Sequence, residues 1–113
     1  MSNKKLLIGR DTFTSVQYAI TICRNPFRES PHFNKYLLVN ELRRRGWWCI
    51  GGGVKPGENF RRAAERECME EAGIKVDLKG ILKVDHGVID DEARMRVIYY
   101  AEPSSLEEAH KNK

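Results

Sequence analysis

The chain has 113 residues, enough for one small domain with its own hydrophobic core and too few for a second. Apolar residues make up 41% and charged residues 32% of the sequence, a balance typical of globular proteins and too apolar for a disordered one. The apolar runs are strand-sized, far short of the ~20 residues of a membrane-spanning helix, so we expect no membrane contact. The apolar stretch near the N-terminus, Leu6–Ile8, is too short for the core of a secretory signal, so we expect a cytoplasmic protein.

The net charge limits the kinds of ligand that we expect, and the cysteines limit the kinds of cross-link and metal site. Sixteen acidic residues offset twenty basic ones, so the net charge of +4 suits an anionic ligand without indicating a nucleic-acid partner. Cys23, Cys49 and Cys68 are odd in number and lack close spacing, which predicts free thiols and neither a disulfide framework nor a zinc site.

The first half of the chain predicts a series of short strands. Residues Thr14–Cys23 are rich in β-branched side chains and predict the first strand, after which a loop begins. Tyr36–Glu41 and Trp47–Ile50 predict the second and third strands, with a turn at Gly46 between them. The three glycines that follow, Gly51–Gly53, predict a bend.

A helix is predicted over Phe60–Ala72. Asn59 is a suitable N-cap residue, and Gly73 is the glycine expected just beyond the C-terminal end of a helix. The residues between them are mostly good helix formers, such as the alanines, arginines and glutamates of this stretch.

The rest of the chain predicts two strands and a short helix. The strands Ile74–Val84 and Arg94–Ala101 are joined by an acidic loop, Asp90–Glu92, and Gly87 is expected at a turn or bulge. Two serines then precede two glutamates with capping-box spacing, so a helix is expected to begin near Leu106.

Three carboxylates of the predicted helix lie where an amphipathic helix is expected to be apolar. Glu67, Glu70 and Glu71 are spaced i, i+3 and i+4 and therefore share one face, at the edge of the apolar stripe. Like charges at this spacing destabilise a helix, and a divalent cation would remove the conflict because Mg²⁺ prefers carboxylate oxygens. The alternative is a solvated face on which Glu67 and Glu70 pair with Arg62, Arg66 or Lys75.

The segment before the helix favours the metal. Gly51–Glu58 is a glycine-rich loop leading into a helix N-terminus, where free N–H groups and the helix dipole favour anions. Glu58 adds a fourth carboxylate to the three of the helix.

Residues Gly52–Ile74 resemble the complete box of the Nudix hydrolases. The box reads Gly-x5-Glu-x7-Arg-Glu-U-x-Glu-Glu-x-Gly-U, where U is a bulky apolar residue, and each fixed position is filled here over 23 residues. Cys68 stands in the first apolar slot, where aliphatic residues are commoner, and Ile50 stands where the family usually has proline.

The resemblance implies a fold. We expect one α+β domain over residues 1–113, an α/β/α sandwich whose mixed β-sheet carries the loop-helix-loop of the box. The family usually continues with a further strand and a longer C-terminal helix, so here that part is either abbreviated or the sequence is a fragment.

The resemblance also implies a reaction and a set of site residues. The protein would be a Mg²⁺-dependent hydrolase, with Mn²⁺ as an alternative ion, in which water attacks phosphorus and cleaves the pyrophosphate bond of a nucleoside diphosphate linked to another moiety. The metal ligands would be Glu67, Glu70, Glu71, Glu58 and the carbonyl of Gly52. Arg66 would hold Glu67, and Glu67 or Glu70 would help to deprotonate the water.

The substrate beyond the diphosphate stays open. The small phosphorylated ligand, expected to be a nucleotide, would contact Arg43, Arg44, Arg45, Lys55 and Trp47, and Glu92 is the candidate for an extra catalytic acid. Diphosphoinositol polyphosphates, dinucleoside polyphosphates, nucleoside triphosphates and nucleotide sugars are the alternatives. A non-catalytic nucleotide-binding module with the same fold is the rival from another class, and a homodimer is compatible with the sequence.

Overall fold

The computed structural model describes residues 14–41 and 46–111 of the chain. Arg43, Arg44 and Arg45, which the sequence predicts to contact substrate, lie outside the described residues. The elements in chain order are β1 (Thr14–Cys23), β2 (Val39–Glu41), β3 (Gly46–Trp48), β4 (Ile50–Gly53), α1 (Phe60–Ala72), β5 (Val76–Ile89), β6 (Glu92–Pro103) and α2 (Leu106–Ala109).

The main sheet is mixed, which confirms the predicted α+β class. Its strand order is β4-β1-β6-β5, with β1 parallel to β6 and the other two pairs antiparallel. Strands β2 and β3 form a separate two-stranded sheet. Helix α1 packs against β4 and β1, while α2 is a single turn that contacts β6. Among the described residues, α1 and this single turn are the helices of the structure.

Small side chains hold α1 against one face of the main sheet. The helix buries Ala63, Ala64 and Cys68, three members of the predicted apolar stripe. On β1, alternate residues ending at Cys23 are buried toward the helix, because successive side chains of a strand point to opposite faces. Short side chains at this contact allow the helix axis to approach the sheet closely, which brings the acidic edge of α1 to strand β4.

The predicted bounds of β1 and α1 are confirmed, whereas the glycine run was predicted wrongly. Gly51–Gly53 does not bend away but forms most of β4, paired antiparallel with β1. A Cβ at Gly51 would lie 3.0 Å from the carbonyl oxygen of Ala19, so a side chain there would require the neighbouring strand to move by a few tenths of an ångström.

Strands β5 and β6 are longer than predicted and form one hairpin. Gly87 was expected at a turn or bulge, but it lies within β5 opposite Arg94. The chain reverses instead at Asp90 and Asp91, with φ angles of 49° and 65°. Two consecutive left-handed residues match the twist of a two-residue hairpin turn, and aspartate adopts this conformation more readily than most residues.

All three cysteines are free, as predicted. Burial raises the pKa of the Cys23 thiol to about 12 and that of Cys68 to about 11, so both remain protonated at neutral pH. Within the described ranges, no helix has both the length and the apolar character needed to cross a bilayer.

Candidate active site

The loop between β4 and α1 is fixed by hydrogen bonds at both ends. The Lys55 N–H donates to Glu58 Oε1 at 3.0 Å, and the Glu58 N–H donates to the Lys55 carbonyl at 3.0 Å. Asn59 caps the helix, since its Oδ1 accepts from the Arg62 N–H at 2.8 Å. This loop places the Glu58 carboxylate over the first turns of α1.

Arg66 is the centre of the acidic cluster. Its Nε and Nη2 donate to the two oxygens of Glu58 at 2.8 and 3.0 Å, a bidentate pair. Its Nη1 donates to Glu67 and to Glu70 at 3.1 Å each, and Nη2 also donates to the Gly53 carbonyl at 2.9 Å. A guanidinium has five N–H donors, and here they tie three carboxylates and strand β4 to one point.

The electrostatics of the cluster follow from this geometry. The Arg66 guanidinium, together with the Lys55 N–H, lowers the pKa of Glu58 to about 2. The same hydrogen bond to Glu58 raises the pKa of Arg66 above its already high value. Both groups therefore stay ionised at every physiological pH. The sequence resemblance assigned Arg66 to Glu67; the structure gives it that contact, but its bidentate partner is Glu58.

Gly52 is the point where β4 meets the helix carboxylates. The Glu67 side chain is only 12% exposed, and its carboxylate fills the space that a Cβ at Gly52 would occupy. Any other residue at this position would displace Glu67. The glycine is therefore required by close approach and not by its backbone angles.

Glu70 and Glu71 extend the cluster toward solvent. The Glu70 side chain is 53% exposed and contacts Arg66 one helical turn earlier. Glu71 is exposed, and one of its oxygens accepts from the Gly51 N–H at the long distance of 3.4 Å. Three carboxylates thus contact the Arg66 guanidinium and a fourth, Glu71, lies beside them on Gly51, which leaves an excess of negative charge at the edge of β4.

The cluster is organised by arginine and not around a cation-sized gap. In the part of the chain that the structure describes, no three acidic, histidine or cysteine side chains are grouped as a ready metal site. The reason is visible in the contacts, because Glu58, Glu67 and Glu70 all direct an oxygen at Arg66. The donor atoms are nevertheless all hard oxygens, the type that Mg²⁺ and Mn²⁺ bind.

A first cleft of about 740 Å³ opens beside Glu71. The predicted contact residue Trp47 lines it and is 65% exposed, and Tyr36 and Leu38 lie along the same cleft. Much of its lining is apolar, so it offers surface to a ring or an alkyl group more than to a phosphate.

A second cleft, of about 890 Å³, lies on the sheet face opposite α1 and was not predicted. Gly51 and Gly52 form its edge, and Tyr18 and Trp48 supply aromatic rings. Three cations also line it, namely Lys83, Arg94 and Arg96.

In the second cleft, the Asp85 carboxylate forms ion pairs with two cations. Arg96 donates to Asp85 at 2.7 Å, and Lys83 lies 3.3 Å from the same carboxylate. These two partners, Arg96 first, lower the pKa of Asp85. Charged residues alternate along both β5 and β6, and this alternation is the sequence signal for the charged group in the cleft. Only the strand register shows that these charges meet.

Two further predicted residues lie apart from the cluster in different ways. Glu92 accepts a hydrogen bond from Arg94 at 3.3 Å. In the sheet it pairs with Thr14 of β1. Thr14 lies four residues along β1 from Tyr18, which pairs with Gly53 of β4. That offset is about 13 Å along the strand, so Glu92 does not meet the helix glutamates. Lys55 is exposed in the loop before α1, beside Glu58.

Comparison with known proteins places these features in one family. A family model described as the NUDIX domain matches residues 19–113. Among curated proteins, the nucleoside triphosphatase NudI of Escherichia fergusonii is 38% identical over 66 residues, which cover 54% of this chain and 45% of that protein.

Solved structures share the fold at lower sequence identity. The Ap4A hydrolase of C. elegans has a TM-score of 0.63 at 19% identity, with 83% of this chain and 72% of that one covered. The pyrophosphohydrolase BsRppH of Bacillus subtilis has a TM-score of 0.62 at 24% identity, with 93% and 61% covered. The chain therefore spans less than half of the curated relative and about three fifths of BsRppH.

Proposed function

The chain belongs to the NUDIX family, and on that premise we propose that it is a Mg²⁺-dependent hydrolase of pyrophosphate bonds. Its substrate would be a nucleoside diphosphate linked to another moiety, and water would attack phosphorus. The observation that carries the proposal is the cluster at the edge of β4, where Glu58, Glu67 and Glu70 accept hydrogen bonds from Arg66 and Glu71 accepts one from the Gly51 N–H.

The residues of this cluster fit a divalent cation. Four carboxylates against one guanidinium leave about three negative charges uncompensated, and neighbouring carboxylates repel one another unless a cation intervenes. The lack of a side chain at Gly52 allows the Glu67 carboxylate to reach the edge of β4. Glu70 is half exposed and has room to turn from Arg66 toward a bound ion.

Each residue of the cluster has a role in the proposal. Glu67, Glu70 and Glu71 would hold Mg²⁺, or Mn²⁺ in its place, with Glu58 and the carbonyl of Gly52 completing the ligands. When bound, the cation neutralises charge on the phosphoryl oxygens and lowers the pKa of water. Glu67 or Glu70 accepts the proton of the attacking water. Arg66 keeps Glu58 and Glu67 at fixed positions through its hydrogen bonds, as outer partners of metal ligands do.

The second cleft is the better candidate for the rest of the substrate. It begins at Gly51 and Gly52, so a ligand held at the glutamates can continue over the edge of β4 onto the opposite sheet face. The rings of Tyr18 and Trp48 suit a base, and the cations of β5 and β6 suit phosphates. Trp47 and Lys55 would then contact the substrate from the helix side.

The same cations favour one second candidate function. Lys83, Arg94 and Arg96 outnumber Asp85 in the cleft, so a ligand with phosphates beyond the cleaved pair would gain more than a nucleotide sugar. A dinucleoside polyphosphate is the substrate of this kind that also carries bases for the two rings. A non-catalytic nucleotide-binding module is the remaining alternative.

Product release from a panel of nucleotides, measured with and without Mg²⁺, tests the proposal. The panel should contain nucleoside triphosphates, nucleotide sugars, dinucleoside polyphosphates and a diphosphoinositol polyphosphate. The Glu70→Gln variant should lose most of the turnover, whereas Glu65→Gln, an exposed glutamate of α1 that no cluster contact uses, is the matched control. Equal turnover in wild type and Glu70→Gln would contradict the role of Glu70. Nucleotide binding without any turnover would favour the binding module.

A further inference from the structure

Strand β5 carries an apolar surface that the proposed hydrolase does not use. Eleven large apolar side chains of the described residues are exposed, and five of them lie on this strand: Ile81, Leu82, Val84, Val88 and Ile89, each at least half exposed. Several of the others line the two clefts, including Tyr36, Trp47 and Trp48, and so have a place in substrate binding. The apolar residues of β5 have no such explanation.

The strand is also an edge of the main sheet. In the order β4-β1-β6-β5, its inner side pairs with β6, and among the described residues no strand pairs with its outer side. An exposed edge presents unpaired N–H and C=O groups, which form a template for another strand. Exposed apolar side chains on the same strand make such pairing more favourable.

Bulges in an edge strand commonly prevent it from pairing with another chain, and β5 has bulges only in its first part. Its pairing with β6 shifts register between Leu78 and Gly80 and again between Ile81 and Lys83. From Lys83 to Ile89 the pairing then runs without interruption. These seven residues form a regular edge of about 23 Å.

We propose that this edge, residues 83–89 of β5, binds the same edge of a second copy of the chain, in antiparallel register centred on His86. Two sheets of four strands would then form one continuous sheet of eight strands. The interface is isologous, as in most homodimers. The inference does not rest on the proposed hydrolase activity.

The sequence of the edge selects this register. With His86 at the two-fold axis, Val84 of each copy lies opposite Val88 of the other, so apolar side chains meet in two symmetric pairs. A register centred on Asp85 would place two carboxylates opposite each other, which is unfavourable. A register centred on Val84 would bring the irregular pairing at Leu82 into the interface.

The charges of the edge are compatible with this pairing. Lys83 and Asp85 already neutralise each other within one copy at 3.3 Å, and Arg96 holds the same aspartate at 2.7 Å. In the register centred on His86, Asp85 lies opposite Gly87 and Lys83 lies opposite Ile89, so no two like charges are brought together.

Sedimentation velocity over a concentration series tests the proposal. The wild type should pass from its monomer mass of 13.1 kDa to twice that mass as concentration rises. The Val88→Lys variant places a charge on the edge and should raise the dissociation constant at least about tenfold. The matched control is Leu38→Lys, another exposed apolar residue that lines the first cleft, and it should dimerise like the wild type.

Disulfide cross-linking tests the register. In a Cys49→Ser background, two copies of the His86→Cys variant should form a disulfide with each other in oxidised glutathione. A mixture of the Val84→Cys and Val88→Cys variants should form a disulfide-linked dimer that contains one copy of each. A wild type that stays monomeric throughout the series would overturn the proposal, as would a Val88→Lys variant that dimerises like the wild type. A monomer in which the outward-facing amides of residues 83–89, those that do not donate to β6, are also protected from hydrogen exchange would show that another segment covers the edge, which also overturns it.

Discussion

The close approach of Gly52 to Glu67 makes a Gly52→Ala variant the sharpest test of the site geometry. A Cβ built at Gly52 lies 2.5 Å from the carboxylate carbon of Glu67, and ordinary contact begins at 3.4 Å. Because one carboxylate oxygen lies closer still, the carboxylate must withdraw by more than about 1 Å, and a misplacement of ~1 Å in a catalytic group costs about 100-fold in rate. Because the displaced atoms are the far end of a flexible side chain, the fold itself should survive.

The neighbouring glycine supplies the control for this variant. A Cβ at Gly53 would meet nothing closer than the Gln17 carbonyl oxygen at 3.9 Å. Gly53→Ala should therefore keep kcat/KM within a few-fold of the wild type, whereas Gly52→Ala should lose about 100-fold. The assay is Mg²⁺-dependent hydrolysis of the best substrate in the panel, with thermal denaturation recorded in parallel. Full activity in Gly52→Ala, or an equal loss in Gly53→Ala, would show that the position of the Glu67 carboxylate beside Gly52 does not control the rate.

Three further predictions concern other contacts of the site. Arg66 lowers the pKa of Glu58 to about 2 in the folded protein, compared with about 4.5 in the unfolded chain. The ionised Glu58 therefore stabilises the fold fully at pH values above about 4.5, and this contribution is lost as the pH falls toward 2. Urea midpoints of wild type and Glu58→Gln should therefore differ at neutral pH and converge in acid; a constant difference would contradict the pairing. Asp85→Asn frees Arg96 and Lys83 and should lower KM for substrates with additional phosphates about threefold, with KM for a nucleotide sugar as the comparison. Asn59→Ala removes the cap bond to the Arg62 N–H and should cost about 1 kcal/mol, a fall of about 4 °C in Tm; an unchanged Tm would show that the cap is dispensable.

Local signals in the sequence were sufficient to predict the bounds of β1 and α1. The ten residues of β1 combine β-branched side chains with alternation, and α1 has both its cap residue and its terminal glycine in sequence. The family box also drew attention to four glutamates and Arg66, which the structure brings together at the edge of β4, because its spacing is fixed along one loop and one helix.

Features that depend on contacts between distant segments were not predictable. The glycines of β4 have weak strand propensity, and they form a strand only because β1 and Glu67 approach them closely. The bidentate pairing of Arg66 with Glu58 depends on how the loop folds back over the helix. The second cleft requires the register of β1, β5 and β6, which no local pattern contains.

Turnover of the nucleotide panel as a function of Mg²⁺, by the wild type and by Glu67→Gln, tests the proposed metal-dependent hydrolysis. We expect product release that requires Mg²⁺ and that falls by about 100-fold or more in Glu67→Gln, since the variant would lose a metal ligand and a candidate base. Product release that is independent of Mg²⁺, or equal in the two proteins, would contradict the proposal.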